Sequence, residues 1–175
     1  MQKVKMPIEL DPIKSAQIRS SFSGIYRLED LSRFKEVVLD QTGEVTVNLE
    51  CKLDEQGLTV LLLSADAEVQ VTCQRCGGAL PQKLNLSSKF TPKLASVDEE
   101  LIPSEYEIIT LNDYGMLELK ALVEDELILA LPIVPKHDED DCDISEDDMS
   151  FGEVEDEPSK PNPFEALKNL KFQKD

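Results

Sequence analysis

The sequence predicts an α+β fold over residues 1–136, an antiparallel β meander with flanking helices, followed by a disordered acidic tail over 137–160. Three observations predict it. Apolar and polar residues alternate with period two over whole strands between Glu44 and Thr91, helix-like apolar spacing flanks that stretch on both sides, and a run of acids follows. A length of 175 residues suits one such domain with appendages.

Along the chain, Lys3–Leu10 alternates weakly and reads as extended. Asp11-Pro12 starts a short helix, with proline in the first turn and Ile13, Ala16 and Ile18 on its apolar side. Leu28, Leu31, Phe34, Val37 and Val38 recur mostly at three-residue steps among charged residues, which predicts a second helix. From Glu44 to Asp54, Val45, Val47, Leu49, Cys51 and Leu53 share one strand face and the polar residues between them share the other. Gly57 turns the chain into Leu58–Leu63, apolar on both faces and hence central. Ala65, Ala67, Val69, Val71 and Cys73 alternate with polar residues next. After Cys76-Gly77-Gly78 so do Leu84, Leu86 and Phe90, which completes a meander with one packed and one wet face. Tyr106–Leu111 is a further short strand, and Asn112–Gly115 a turn. Leu119, Leu122, Val123, Leu127 and Ala130 line one side of a helix that ends before Pro132.

The net charge of −18 argues against a uniformly acidic nucleic-acid binder, because phosphates need Lys and Arg. The charge is segregated, however. Twelve of the 36 acids lie between Asp138 and Glu157, where no Lys or Arg occurs, whereas residues 1–95 carry 12 bases and 12 acids. Residues 69–97 contain no acid at all, and Arg75, Lys83, Lys89 and Lys93 there are candidate phosphate contacts. By strand parity the three lysines share the wet face, spaced by roughly 20 Å and then 13 Å. The stretch from His137 to Ser159 is too poor in apolar residues to offset its ordering entropy and reads as flexible. Residues 161–175 form a short basic amphipathic segment, with Phe164, Leu167, Leu170 and Phe172 among Lys168, Lys171 and Lys174. No run is long and apolar enough to span a bilayer, and the start lacks the apolar core of a secretion signal. The expected setting is the cytoplasm, where cysteines stay reduced and a close pair reads as a metal or redox site.

Cys73-Gln74-Arg75-Cys76-Gly77-Gly78 is the sharpest local motif, since two thiolates three positions apart at a tight turn can both face one ion. His137 and Cys142 are the further ligands the chain offers, so a zinc site of three thiolates and one imidazole is stereochemically open to Cys73, Cys76, His137 and Cys142, while the cofactor itself is left unknown by the sequence. The competing reading is a reduced turn with a partly buried cysteine. A redox dithiol has less support, because such pairs open a helix in a βαβ unit and this one joins antiparallel strands. Cys51 reads as a core residue. Glu124-Asp125-Glu126 reads as a solvated or polar-packing face, and no motif of nucleotide, hydrolase, metalloprotease or calcium chemistry is present.

Four segments, Gln2–Pro12, Cys73–Cys76, Val123–His137 and Lys160–Phe164, closely resemble the bacterial YceD family, the large ribosomal RNA subunit accumulation proteins. The resemblance implies a non-enzymatic ribosome-biogenesis factor supporting synthesis, processing or stability of 23S ribosomal RNA. It maps the family's first cysteine pair onto Cys73 and Cys76, and its acidic-helix motif onto Glu124, Asp125 and Glu126, which become candidate partner contacts. Many relatives carry a second cysteine cluster after the Leu-Pro motif, where this chain keeps only His137 and Cys142. Two mechanisms follow as expectations. Precursor 23S ribosomal RNA, or a large-subunit assembly intermediate, binds the lysine face, or the acidic tail shields a basic ribosomal protein. A metal- or thiol-dependent enzyme is the least supported class.

Overall fold

The computed structural model describes residues 6–95, 97–145, 148 and 152. The chain divides into two compact units, Met1–Asp143 and Ile144–Asp175. Every element below belongs to the first. In the second, Ser145 donates its backbone N–H and its hydroxyl to the Asp148 carboxylate at 3.0 and 2.7 Å. The expectations for the distal part of the acidic tail and for residues 161–175 lie outside the described residues.

In chain order the elements are β1 (Glu9–Leu10), α1 (Pro12–Gln17), β2 (Ser21–Arg27), β3 (Glu44–Leu53), β4 (Thr59–Thr72), β5 (Ala79–Pro92), β6 (Glu107–Ile109), β7 (Leu117–Glu118) and α2 (Leu119–Ala130). Five strands form one sheet in the order β2-β3-β4-β5-β6, and β1 pairs separately with β7. The first four strands of the sheet are antiparallel neighbours, and β6 lies parallel to β5. An α+β fold built on a mainly antiparallel meander is therefore what these residues form.

Period-two patterning accounts for the packing. Val45, Val47, Leu49 and Cys51 of β3 stand opposite Ala67, Ala65, Leu63 and Leu61 of β4, and all of them are buried. In the next pair Leu61 faces Phe90 and Ala67 faces Leu84, so one sheet face is continuous apolar core. Helix α1 packs on β3 and β4, and α2 on β5. The first is started by Asp11, whose carboxylate accepts the Lys14 N–H at 3.0 Å, with Pro12 in the first turn.

Three elements differ from the sequence expectation. Residues 28–38 make two short 3-10 turns, Leu28–Asp30 and Phe34–Glu36, in place of one α-helix. The three-residue spacing that predicted a helix is that of a 3-10 turn, where side chains at i and i+3 eclipse, and it buries Leu28, Leu31 and Phe34 completely. Leu58–Leu63 and Ala65–Cys73 are one unbroken strand, β4, at the centre of the sheet. Strand β2 was not anticipated. Phe22, Gly24 and Tyr26 alternate with Ser21, Ser23 and Ile25, but the glycine and the serines dilute the β signal.

Candidate metal centre

The register of β4 and β5 runs to Thr72↔Ala79, leaving Cys73–Gly78 as the hairpin tip. The tip closes through the Cys73 N–H, which donates to the Gly78 carbonyl at 2.8 Å, and the Gly77 N–H, which donates to the Cys73 carbonyl at 2.9 Å. Gly77 sits at φ +74°, a left-handed conformation that glycine adopts without steric cost. After α2 the chain returns as an irregular strap and crosses this tip. The Gln74 N–H donates to the Pro135 carbonyl at 2.8 Å, and the Gln74 side-chain amide to the Ile133 carbonyl at 3.2 Å.

The crossing brings Cys73, Cys76, His137 and Cys142 together, one ligand atom of each lying within 4.8 Å of the others. Cys73 is buried and the other three are half-buried. The His137 ring is oriented from both ends. Nε2 lies 3.1 Å from the Ala79 carbonyl and Nδ1 lies 3.4 Å from Cys76 Sγ. A carbonyl only accepts, so Nε2 carries the proton and the Nδ1 lone pair faces the space between the four ligands. Metal-ligating histidines show this arrangement, their remote N–H anchored on a carbonyl or carboxylate.

The surroundings of Cys73 favour its thiolate. Burial opposes ionisation of Cys73, yet the backbone N–H groups of Cys76, His137 and Arg75 aim at its sulfur and bring its pKa down to about 5. At Cys76 the Gly78 N–H, 3.4 Å from Sγ, favours the thiolate, but burial and the adjacent Cys73 and Cys142 sulfurs outweigh it and raise the pKa. The Ala79 carbonyl, ahead of the other influences, holds the His137 pKa above its ordinary value. The neighbouring sulfurs that disfavour the Cys76 thiolate mark a place where a cation would offset converging negative charge. Three sulfurs and one imidazole fit tetrahedral zinc, whose bonds of about 2.3 Å to sulfur and 2.0 Å to nitrogen require only a small contraction of the cluster.

Sequence reasoning brought these four residues together, but it assigned Arg75 elsewhere. Its Nε donates to Cys142 Sγ at 3.1 Å, and one terminal nitrogen donates to the His137 and Asp138 carbonyls at 3.0 and 3.2 Å. The contacts made by Gln74 and by the Ala79 carbonyl were also missed, because strap and carbonyl partners leave no trace in the local sequence.

The expected acid-free basic stripe does not hold in space. Lys83 pairs with Glu68 at 3.2 Å, Lys89 with Glu105 at 2.5 Å and Lys93 with Glu99 at 2.6 Å. Glu68 comes from the neighbouring strand, where it stands opposite Lys83, and Glu105 and Glu99 come from the loop between β5 and β6. Absence of acid along 69–97 therefore says nothing about acid across the sheet.

The acidic-helix residues face inward in part. Glu124 is buried and accepts the Arg33 N–H at 2.8 Å, with the Arg33 Nε 3.6 Å away. Arg33 also donates to Asp125 at 2.6 Å and to the Ala121 carbonyl at 2.8 Å. Glu126 is buried and accepts from the Ser88 hydroxyl. Glu124 and Glu126 thus tie α2 to the second 3-10 turn and to β5, and Asp125 is the half-exposed member of the trio.

Comparison with known proteins agrees with the resemblance. The family described as large ribosomal RNA subunit accumulation protein YceD matches residues 61–171. A curated relative, the large ribosomal RNA subunit accumulation protein YceD of Haemophilus influenzae, is 39% identical over 172 residues, covering 98% of this chain and 99% of the relative. No solved structure matches. A relative this similar over nearly its whole length, together with a family match that takes in the hairpin tip, α2 and the strap, shows that the chain belongs to the YceD family.

Proposed function

We propose that this protein is a non-enzymatic ribosome-biogenesis factor of the cytoplasm, which supports synthesis, processing or stability of 23S ribosomal RNA. The near full-length match to a relative bearing the accumulation name carries this reading. Among the described residues no helix is long and apolar enough to cross a membrane, which is in keeping with it. Zinc is the proposed resident ion, held by Cys73, Cys76, His137 Nδ1 and Cys142. Its role is structural, since four protein ligands leave no open coordination position for chemistry.

Precursor 23S ribosomal RNA is the proposed partner, with Lys83, Lys89 and Lys93 exchanging carboxylates for phosphates. Exposed pairs of this kind hold weakly and are screened by salt, so phosphate competes for them readily. Arg75 contributes to this face by shaping the hairpin tip, and Asp125 is the acidic-helix residue best exposed to a protein partner. The test is binding to precursor 23S fragments across a salt series. Lys→Glu at all three positions should flatten the dependence of log K on log salt by about two units, from ~0.7 per phosphate contact on single-stranded RNA. An unchanged slope removes the lysines from the interface. Cells depleted of the protein should show a lowered ratio of 23S to 16S ribosomal RNA, and an unchanged ratio removes the biological reading.

A second reading is favoured by one observation, the twelve acids without a base between Asp138 and Glu157. In it the acidic tail captures a basic ribosomal protein. Deleting 138–157 would also delete Cys142, so the cleaner variant lacks 144–157. Loss of capture by that variant supports the second reading, and unchanged capture removes it.

A further inference from the structure

Resting on the zinc reading above, we infer that Arg75 is a positioning residue for the metal, whose guanidinium holds the strap in ligating position so that metal retention and docking of residues 133–142 on the hairpin tip form one equilibrium.

The centre is built from two halves of unequal rigidity. Cys73 and Cys76 stand on a hairpin whose strands are paired from Leu61↔Phe90 to Thr72↔Ala79, through ladder bonds in which the strap takes no part. His137 and Cys142 lie on a segment whose regular structure is one short 3-10 turn, Glu139–Asp141. Such a segment gains little from its own backbone bonds and needs outside contacts to stay put. Arg75 supplies three of them. Its side chain spans both strap ligands at once, reaching the carbonyl of His137 itself, the carbonyl of Asp138 and the sulfur of Cys142. A planar fork of donors can serve these acceptors together, whereas an ammonium on a flexible stem cannot hold the same three directions.

Charge points the same way. Three thiolates and a neutral imidazole around a divalent ion leave one net negative charge, in a strap that also carries Asp138, Glu139, Asp140 and Asp141. The Arg75 guanidinium, permanently protonated, lies 3.1 Å from one of those sulfurs and offsets that charge where it is generated. Removing it leaves the four ligands in the sequence but loosens the two that depend on the strap. Groups that orient metal ligands in this way typically change affinity by about 10–100-fold when mutated.

The experiment compares zinc-loaded full-length protein with Arg75→Gln and Arg75→Lys. Zinc release to a chromogenic chelator and amide hydrogen exchange are both measured. Each variant should still bind one zinc per chain but release it about 10-fold faster or more, with quicker exchange confined to residues 133–142. Unchanged protection of β3 and β4 certifies that a variant is folded. Chelating the parent should likewise loosen the strap and leave those strands protected. A folded variant that releases zinc at the parental rate overturns the inference, as does a chelated parent with an unchanged strap. Zinc-free parent protein that takes up no zinc overturns the zinc reading itself, and this inference with it.

Discussion

Replacing Glu124 by alanine separates an internal role for the acidic helix from a partner role. The Glu124 side chain is only 5% exposed, and its Oε1 accepts the Arg33 backbone N–H across 2.8 Å. Truncation leaves that N–H without an acceptor in a partly buried site, which costs about 1–3 kcal/mol. The penalty of about 3–5 kcal/mol for breaking a fully buried ion pair does not apply in full. Arg33 is half exposed and keeps both Asp125 and the Ala121 carbonyl. The expected loss is therefore about 2 kcal/mol, or a fall in Tm of about 4–8 °C at about 2–4 °C per kcal/mol for a chain of this size. Glu124→Gln keeps an oxygen acceptor and should lose about half as much. Asp125→Ala, at a side chain 53% exposed, should fall within about 0.5 kcal/mol of the parent. Urea unfolding provides the assay, with a lowered midpoint and an unchanged slope. If Glu124→Ala is as stable as the parent, or Asp125→Ala costs more than it does, the internal role assigned to Glu124 is refuted.

Other outcomes follow from the same geometry. The Tyr26 hydroxyl is buried without a hydrogen-bond partner among the described residues, so Tyr26→Phe should stabilise the protein by about 1 kcal/mol in chemical denaturation. Burial raises the Tyr26 pKa above 10.0, which means that the folded state keeps its proton where the unfolded state has lost it. The stability this gives is complete below pH 10 and falls as pH climbs toward the folded-state pKa, and Tyr26→Phe should flatten that alkaline fall in a stability-versus-pH series. Gly77→Ala forces a side chain into a left-handed backbone at the hairpin tip and should cost about 1–2 kcal/mol, read by the urea midpoint. Zinc at 100 times its dissociation constant should add about 2.7 kcal/mol to the metal-free protein, a rise in Tm that four-ligand disruption by Cys76→Ser abolishes.

Most of the body was legible in the sequence because its core is written in period two. Val45, Val47 and Leu49, and then Ala65, Ala67 and Val69, alternate cleanly with polar residues, and the face they share carries the core cluster. Where the text became ambiguous, tertiary contact decided. Leu28, Leu31 and Phe34 are spaced equally well for a short helix or a pair of 3-10 turns, and the bond from the Arg33 N–H to Glu124, 91 residues away, draws the chain onto α2 between those turns. The four ligand residues were legible from chemistry, since a paired-cysteine turn needs soft partners and the chain offers few. Their setting was not. The roles of Arg75, Gln74 and the Ala79 carbonyl depend on where the strap crosses the hairpin, and the carboxylates that meet Lys83, Lys89 and Lys93 arrive from across the sheet and from a loop.

Titration of the reduced, metal-free full-length chain with cobalt(II) tests the metal centre most directly. Uptake should saturate at one ion per chain and give the strong visible bands of a tetrahedral ion together with sulfur-to-metal charge transfer. Both should weaken when Cys73, Cys76 or Cys142 is replaced by serine. A weak spectrum of six-coordinate cobalt, or sulfur bands indifferent to Cys142, would contradict a centre assembled from the hairpin tip and the strap.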